Sequence, residues 1–305
     1  MSDKCTTCKL CDNVFEHDNQ KFGLSGVYKR QYEPWQLLEG KRNSLVWIYG
    51  INQAFNEGEY DLDYLLPRGK KWKKIELDGR SLDKLEDCFI AKNGKEKVFK
   101  NEKYFKKFNT VSPILFELLG QDYGVAHTDV IRCGSVRHKP EVMIGKLFED
   151  IVTNYSDLEG NEQKIIKDSW NIIPEKIRKN CKKYVEQQLN SSNYEVPRLI
   201  ICHGNPASKT IREILLSEKE QEGIARLCKM SKIDYVPFYH ASLKKGDKQH
   251  SITVVQMEFM HDKLPNVTKR SIGYLIDGLI KDLGILETRD KLLGTKSNYK
   301  HGLLV

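Results

Sequence analysis

Cysteines near the N-terminus and in the middle of the chain are the residues best suited to metal or redox chemistry. Cys5 and Cys8 form a C-x-x-C pair, Cys133 ends the apolar run TDVIRC, and Cys181 lies in the helical pattern IRKNCKKYVEQQL. In a lysine-rich chain whose start shows no apolar signal segment, clustered cysteines more often bind a metal than form disulfides. The C-x-x-C pair alone suits a zinc site or a redox pair, so its meaning depends on the fold around it.

Composition narrows the class of protein and of partner. The chain has 305 residues, is 39% hydrophobic and carries a formal net charge of +8. No apolar run reaches the roughly 18 to 20 residues of a membrane helix, and MSDKCTTC lacks the apolar core of a secretory signal, so we expect a cytoplasmic protein. Lysines are interleaved with aromatic residues, which suits a nucleic acid but is also common on a solvated face. The aromatic residues are Trp72, Phe99, Tyr104, Phe105 and Phe108.

Continuous apolar runs separated by helical patterns predict an α/β fold with a buried, mostly parallel sheet. The predicted strands are 44–51, 126–132, 198–204 and 251–259. The predicted helices are 104–119, 173–189, 217–230 and 269–283. We expect a hairpin turn at KKGDKQ and a loop at 157–163. The whole chain, 1–305, is predicted to be a single domain with insertions at about 67–103 and 141–172.

Residues that follow the predicted strands form the candidate site, because ligands of such sheets bind beyond the carboxyl ends of the strands. In chain order they are Gly50, Ile51, Asn52, Gln53, Asp129, His203, Gly204, Asn205 and His261.

Five motifs in this order resemble those of the uracil-DNA glycosylase superfamily, and most closely those of its iron–sulfur branch. YGINQAF, which contains Asn52, is similar to the G-I-N-P-G loop of the mismatch-specific members. The N-terminal C-x-x-C-x-L resembles the first cysteine motif of this branch, and the run ending at Cys133 resembles its strand motif T-N-V-V-K-C. Cys181 resembles the cysteine of its later helix. CHGNPA resembles L-G-x-x-A, and the predicted strand ending at His261 resembles the one that ends in H-P-S.

The resemblance covers most of the chain and implies a three-layer α/β/α sandwich around a mostly parallel central sheet. It also implies a structural [4Fe–4S] cluster held by Cys5, Cys8, Cys133 and Cys181, with Cys11 as a possible substitute for one of the first two. A zinc site with four cysteine ligands, or buried free thiols, are the alternatives.

Catalytic roles also follow from the resemblance. Asn52 is expected to orient a water molecule against the anomeric carbon, and His261 to donate to O2 of the departing base. The alternative for Asn52 is an ordinary asparagine in a turn. The alternative for His261 is that His240 is the active histidine. Tyr64 corresponds to the aromatic residue that stacks on a flipped base, although a core tyrosine fits the run YLL equally well. Gly50, Ile51 and Gln53 belong to the base-binding loop.

Departures from the family pattern affect the expected substrate. Gln53 replaces a proline, Asp262 and Lys263 replace Pro-Ser, and Asp129 stands where the family has the asparagine that reads the base. Asparagine matches N3–H and O4 of uracil, whereas an ionised aspartate only accepts hydrogen bonds, as from N4 of cytosine.

Removal of plain cytosine would destroy the host genome, so we expect a modified cytosine, hydroxymethylated or glucosylated, in phage DNA. The predicted protein is a monomeric DNA glycosylase of antiviral defence that acts on single- or double-stranded DNA. If Asp129 is turned away from the base, a uracil-DNA glycosylase of base-excision repair is the alternative. The alternative of another class is a non-catalytic iron–sulfur protein that binds DNA.

Overall fold

The computed structural model of the chain describes residues 15–17, 20–22, 40–54, 103–135, 161–232, 237–257 and 265–294. At 15–17, 20–22, 52–54, 103–104, 132–135, 161–174 and 176 it describes the backbone alone. The strands are β1 Phe15–His17, β2 Gln20–Phe22, β3 Val46–Ala54, β4 Val125–Ser135, β5 Leu199–His203, β6 Phe238–Lys245 and β7 Lys248–Met257. The helices are α1 Lys103–Val111, α2 Pro113–Leu118, α3 Asn161–Asn190, α4 Asn205–Leu215, α5 Glu218–Ser231, α6 Asn266–Asp282 and α7 Ile285–Leu293.

Five of these described strands form one sheet in the order β4-β3-β5-β7-β6. β3, β4, β5 and β7 are parallel to one another, and β6 joins β7 as an antiparallel edge strand. The turn between β6 and β7 contains Gly246 with φ of 59°, a conformation that glycine adopts without strain. The predicted parallel sheet and the predicted hairpin are therefore confirmed. β1 and β2 form a separate antiparallel pair that the sequence patterns do not indicate.

Helices cover both faces of the sheet, which explains why its central strands are apolar throughout. The ring of Phe108 in α1 lies 5.6 Å from the ring of His203 on one face. The neighbouring side chain Cys202 points to the other face because successive strand residues alternate. There burial raises the pKa of the Cys202 thiol, and the nearby charge of Arg212 in α4 opposes that shift. Cys202 is thus a core residue, as its position in the strand predicts, and the α/β fold class is confirmed.

A buried arginine joins α3 to α4. The Arg178 side chain is only 2% exposed, and its guanidinium donates to both carboxylate oxygens of Glu213 and to both of Glu175. Thr210 of α4 accepts a further hydrogen bond from Arg178 at 3.2 Å, and Lys209 binds Glu175 at 2.9 Å. Because every guanidinium nitrogen has a partner, this charge is stabilised within the helix interface.

Two expectations about helices need correction. The predicted helix 104–119 is broken at Ser112, because Pro113 has no N–H to continue the first helix and restricts the residue before it to extended geometry. The loop predicted at 157–163 is wrong from residue 161 onward, where α3 already begins. α3 runs for 30 residues, and Cys181 lies in its second half.

Chain order identifies the point of the sheet where ligands bind in related architectures. β4 follows β3 on one side, and the next strand, β5, lies on the other side of β3. This arrangement makes the carboxyl ends of β3 and β5 a topological switch point, the usual ligand crevice of open α/β sheets. No helix in the described ranges is long and apolar enough to cross a membrane.

Candidate functional site

A carboxylate, a glycine and an imidazole lie in one row across three strands of the sheet. Asp129 of β4 pairs with Gly50 of β3. The preceding residues Tyr49 and Cys202 also pair, so His203, the last residue of β5, is level with Gly50. Parallel partners in register point to the same face, and strands lie about 4.8 Å apart, so the Cα atoms of Asp129 and His203 are roughly 10 Å apart. We call these three residues the central row.

Gly50, a buried glycine, stands in the middle of the central row. It has no side chain, so the strand between the carboxylate and the imidazole contributes only backbone to this face. Asp129 is 6% exposed, and His203 is fully buried. The row therefore presents a carboxylate and an imidazole on either side of bare backbone, groups that can form hydrogen bonds with a polar ligand.

A second histidine lies beside the central row. His127 is two residues before Asp129 on the same strand face, pairs with Ile48 and is buried. Phe105 packs edge-on against His127 at 5.3 Å between ring centroids. Phe108 contacts both imidazoles, at 6.3 Å from His127 and 5.6 Å from His203. α1 therefore covers the two histidines with aromatic rings and excludes water from them.

Burial sets the protonation state of His203. The pKa of His203 is lowered to about 3, mainly by loss of solvation and in smaller part by positive charge at His127 and Lys107. At neutral pH the His203 imidazole is therefore uncharged, with one nitrogen able to donate and the other able to accept. The position of His203 at the end of an apolar run predicts it as a site residue, whereas the strand-end pattern does not indicate His127. The spacing H-x-D in a strand was the available signal, because residues two apart share a face.

The turn after His203 requires a glycine. Gly204 has φ of 99°, a region that other residues rarely adopt, and its N–H donates to the carbonyl of Met257 at the end of β7. α4 starts at the next residue and has Pro206 in its first turn, where a missing N–H is harmless. The first turn of α4 is thereby directed to the carboxyl edge of the sheet.

Other predicted site residues are described in part or lie outside the described ranges. Asn52 and Gln53 are within β3, where the Asn52 backbone pairs with Ile131. Ile51 is half-buried and packs on the core. Tyr64 and His261 both lie outside the described residues, so their roles stay predictions.

His240, the alternative catalytic histidine, lies at the wrong end of the sheet for a site at its carboxyl edge. It is an exposed residue of edge strand β6, and its Nδ1 lies 3.0 Å from the hydroxyl of Thr253. Thr253 pairs with Leu199, and Leu199 pairs with Val46, so His240 is level with the amino end of β3. Three strand spacings and four residues separate it from Gly50, which amounts to roughly 20 Å.

Two of the four predicted cluster ligands lie in the described part of the chain. Cys181 is buried on α3, and α3 packs against β4, the strand that contains Cys133. The β3–β4 register shifts after Ile131, with two extra residues in β4 before Ser135. Such an irregularity re-aims side chains, so alternation from Asp129 does not fix the face of Cys133. Cys5, Cys8 and Cys11 lie outside the described residues.

The packing of α3 on β4 is compatible with a shared metal centre, and the soft thiolates of Cys133 and Cys181 suit iron–sulfur or zinc equally. Within the described ranges, no three histidine, cysteine or acidic side chains converge on a point that could hold a metal ion. His127, His203 and Asp129 are therefore polar groups on one face of the sheet that do not form a three-ligand metal site.

The first turns of the helices differ in charge, and α4 begins directly after β5 at the carboxyl edge of the sheet. α4 and α6 have no acidic residue in the first turn. By contrast, Glu218 and Glu220 begin α5, and Glu287 begins α7. Since a helix N-terminus has partial positive charge, the uncompensated N-terminus of α4 at this edge favours an anionic partner. Comparison of the chain with known protein families and with curated proteins finds no match.

Proposed function

We propose that this protein is a DNA glycosylase that hydrolyses the N-glycosidic bond of a flipped-out, modified cytosine. The observation that carries the proposal is the central row, in which the buried carboxylate of Asp129 lies opposite Gly50, a residue without a side chain, and His203 ends the next strand. A base that has left the double helix loses stacking and pairing, and a closed polar pocket restores part of both.

Asp129 supports cytosine as the base that is read. A carboxylate accepts the N4 amino protons of cytosine but repels O4 of uracil, which is itself an acceptor. The selection is strong because Asp129 is buried, and an unmatched polar pair in such a place receives no compensation from water. Hydroxymethylated or glucosylated cytosine, as in phage DNA, is the substrate class that such an enzyme could attack without harm to its host.

Two residues have the proposed catalytic roles. Asn52 in β3 follows Gly50 by two residues and orients the attacking water toward the anomeric carbon. His261 donates to O2 of the departing base, where negative charge develops. Two observations support His261 over His240: α6 begins shortly after residue 261, and His240 is roughly 20 Å from Gly50 across the sheet.

A [4Fe–4S] cluster held by Cys5, Cys8, Cys133 and Cys181 is part of this proposal, with a structural role. The packing of α3 against β4 supports it, since each of these elements provides one ligand. When bound, the cluster supplies cross-links between distant parts of the chain, and no step of base removal passes through it. DNA as the partner is supported by the N-terminus of α4 at the carboxyl edge and by the net charge of +8.

The deciding experiment incubates the protein with DNAs that contain uracil, hypoxanthine, cytosine, hydroxymethylcytosine or glucosylated hydroxymethylcytosine. Each DNA is tested in single- and double-stranded form, and the released bases are identified by mass spectrometry. Release of a modified cytosine supports the proposal. Release of uracil alone would replace it with a repair enzyme. DNA binding without release of any base would replace it with a non-catalytic DNA-binding protein.

A further inference from the structure

The corner between α1 and α2 is held by several hydrogen bonds at one buried residue, Ser112. Its N–H donates to the carbonyl of Phe108 at 2.8 Å, and its hydroxyl accepts from the N–H of Leu115 at 3.0 Å, which caps α2. The same hydroxyl donates to a carboxylate oxygen of Asp277 in α6 at 2.5 Å. Ser112 therefore joins three helices, α1 through its backbone N–H and α2 and α6 through its hydroxyl.

α6 contacts this corner with two residues one turn apart. Gly273 lies against Val111, the last residue of α1, so closely that a Cβ at Gly273 would overlap the carbonyl oxygen of Val111. Asp277 follows four residues later on the same face of the helix and binds Ser112. Burial raises the pKa of Asp277, and the hydrogen bond from Ser112 lowers it. We call Gly273, Asp277, Val111 and Ser112 the helix clamp.

The helix clamp lies at the end of the helix that covers the site histidines. Phe108 is one turn before Ser112, and its ring contacts both imidazoles. Phe105 is one further turn away and packs on His127. A shift or rotation of α1 at its C-terminal end would move both rings, because an α-helix this short transmits such a displacement as a rigid rod.

We infer that Gly273 and Asp277 are positioning residues for the site: through Val111 and Ser112 they fix α1 so that Phe105 and Phe108 seal His127 and His203. α6 follows His261 in the chain, so the clamp also ties the helix after one proposed catalytic residue to the helix over the two histidines. The consequence for activity rests on the proposed glycosylase function, whereas the structural consequence does not.

The test compares alanine substitutions at two glycines of the same helix. Gly273→Ala inserts a methyl group against the Val111 carbonyl, whereas Gly278→Ala adds one in open space. Histidine imidazole NMR signals are recorded across pH and assigned with His127→Gln and His203→Gln. We expect Gly273→Ala to move the His203 pKa from about 3 toward the ordinary value of 6.5, and Gly278→Ala to leave it unchanged.

Asp277 provides a second pair of variants if Gly273→Ala does not fold. Asp277→Leu removes the acceptor of the Ser112 hydroxyl and should expose His203 to protonation. Asp277→Asn keeps a carbonyl oxygen at the same place and should restore the wild-type signals. Two results would show that the helix clamp does not position the site. The first is a His203 pKa that stays at about 3 in Asp277→Leu, and the second is a His203 pKa that Gly278→Ala raises as much as Gly273→Ala does.

Activity gives an independent measurement on the modified-cytosine DNA. We expect Gly273→Ala to lose about 10²-fold in single-turnover rate with unchanged DNA affinity, the scale of a small displacement of a reacting group. Equal rates for Gly273→Ala and wild type, despite a changed His203 pKa, would show that the clamp seals the histidines without serving catalysis. If the wild type releases no base, the glycosylase proposal fails, and the NMR comparison still decides the structural inference.

Discussion

Asp129 lies directly opposite Gly50 in the register of β4 and β3, so a buried carboxylate borders a position that has no side chain. Gly50 contributes only backbone to this face of the sheet, so Asp129 provides the side-chain chemistry on this side of the central row. Changes at Asp129 therefore test the substrate most directly.

Asp129→Asn should move base preference from cytosine-type bases toward uracil. The amide offers a donor and an acceptor and can match O4 and N3–H of uracil together, whereas the carboxylate matches only the donors of cytosine. A good bidentate contact contributes about 1–3 kcal/mol of discrimination, so the ratio of single-turnover rates should change at least several-fold. Asp247→Asn, in the exposed turn between β6 and β7, controls for the lost charge. An unchanged ratio in Asp129→Asn would mean that this side chain does not read the base.

Asn52→Ala and His261→Ala should each retain DNA binding and lose at least ~10²-fold in single-turnover rate, the usual effect of removing a positioned donor or a water-orienting group. His240→Ala should react at the wild-type rate, since His240 lies far from the central row. An inactive His240→Ala together with an active His261→Ala would reverse this assignment.

His203 should make the protein less stable as the pH falls. Its pKa is lowered from 6.5 in the unfolded chain to about 3 in the folded protein, so below pH 6.5 the unfolded state binds the proton first. The stabilisation from neutral His203 is thus present above about pH 6.5 and is lost as the pH falls toward 3, by at most ~1.4 kcal/mol per pH unit. Urea unfolding between pH 7 and 4 should show a shallower decline in His203→Gln than in wild type or in His240→Gln. Parallel curves for all three proteins would contradict this expectation.

Arg178→Met should destabilise the fold by about 3 kcal/mol, because it leaves Glu175 and Glu213 without their buried partner. Lys182→Met is the matched control, since Lys182 approaches Glu213 only at 3.8 Å from a partly exposed position and should contribute less than about 1 kcal/mol. The Arg178 hydrogen bond is the main cause that lowers the pKa of Glu175 to about 2. The stability that this hydrogen bond provides is present above about pH 4.5 and is lost as the pH falls through 2. Equal urea midpoints for Arg178→Met and Lys182→Met would show that the network is dispensable.

Protein purified without oxygen should be brown and absorb near ~400 nm, as thiolate-bound iron–sulfur clusters do. Cys181→Ser should lose the colour, the iron and the sulfide. Cys202→Ser should keep them, because Cys202 is a buried core residue under α4. Stoichiometric zinc without iron or sulfide would assign the four cysteines to a zinc site instead.

The strands of this fold are predictable because burial on both faces demands continuous apolar runs, as in Leu199–His203. Helix ends are less predictable. α3 begins with NEQK, a polar segment whose composition is typical of a loop, although it continues into a helix that packs on the sheet. At the site, Asp129 and His203 were predictable because they lie in or at the ends of predicted strands of one parallel sheet. His127 and the helix clamp were not, because they depend on which helix lies over which strand, a long-range property that local patterns do not encode.

The parallel register of β3 has a consequence for how the chain assembles. Val46 pairs with Val125 on one side and with Leu199 on the other, and both partners leave the ribosome long after it. Contacts between residues so distant in sequence form late and slow the folding reaction, because the loop between them must close first. The β6–β7 hairpin needs only a two-residue turn and can form within microseconds of its synthesis. During synthesis, then, β3, an interior strand of the finished sheet, stays without its partners for longer than the later strands of that sheet, and its apolar residues are exposed to aggregation in that interval.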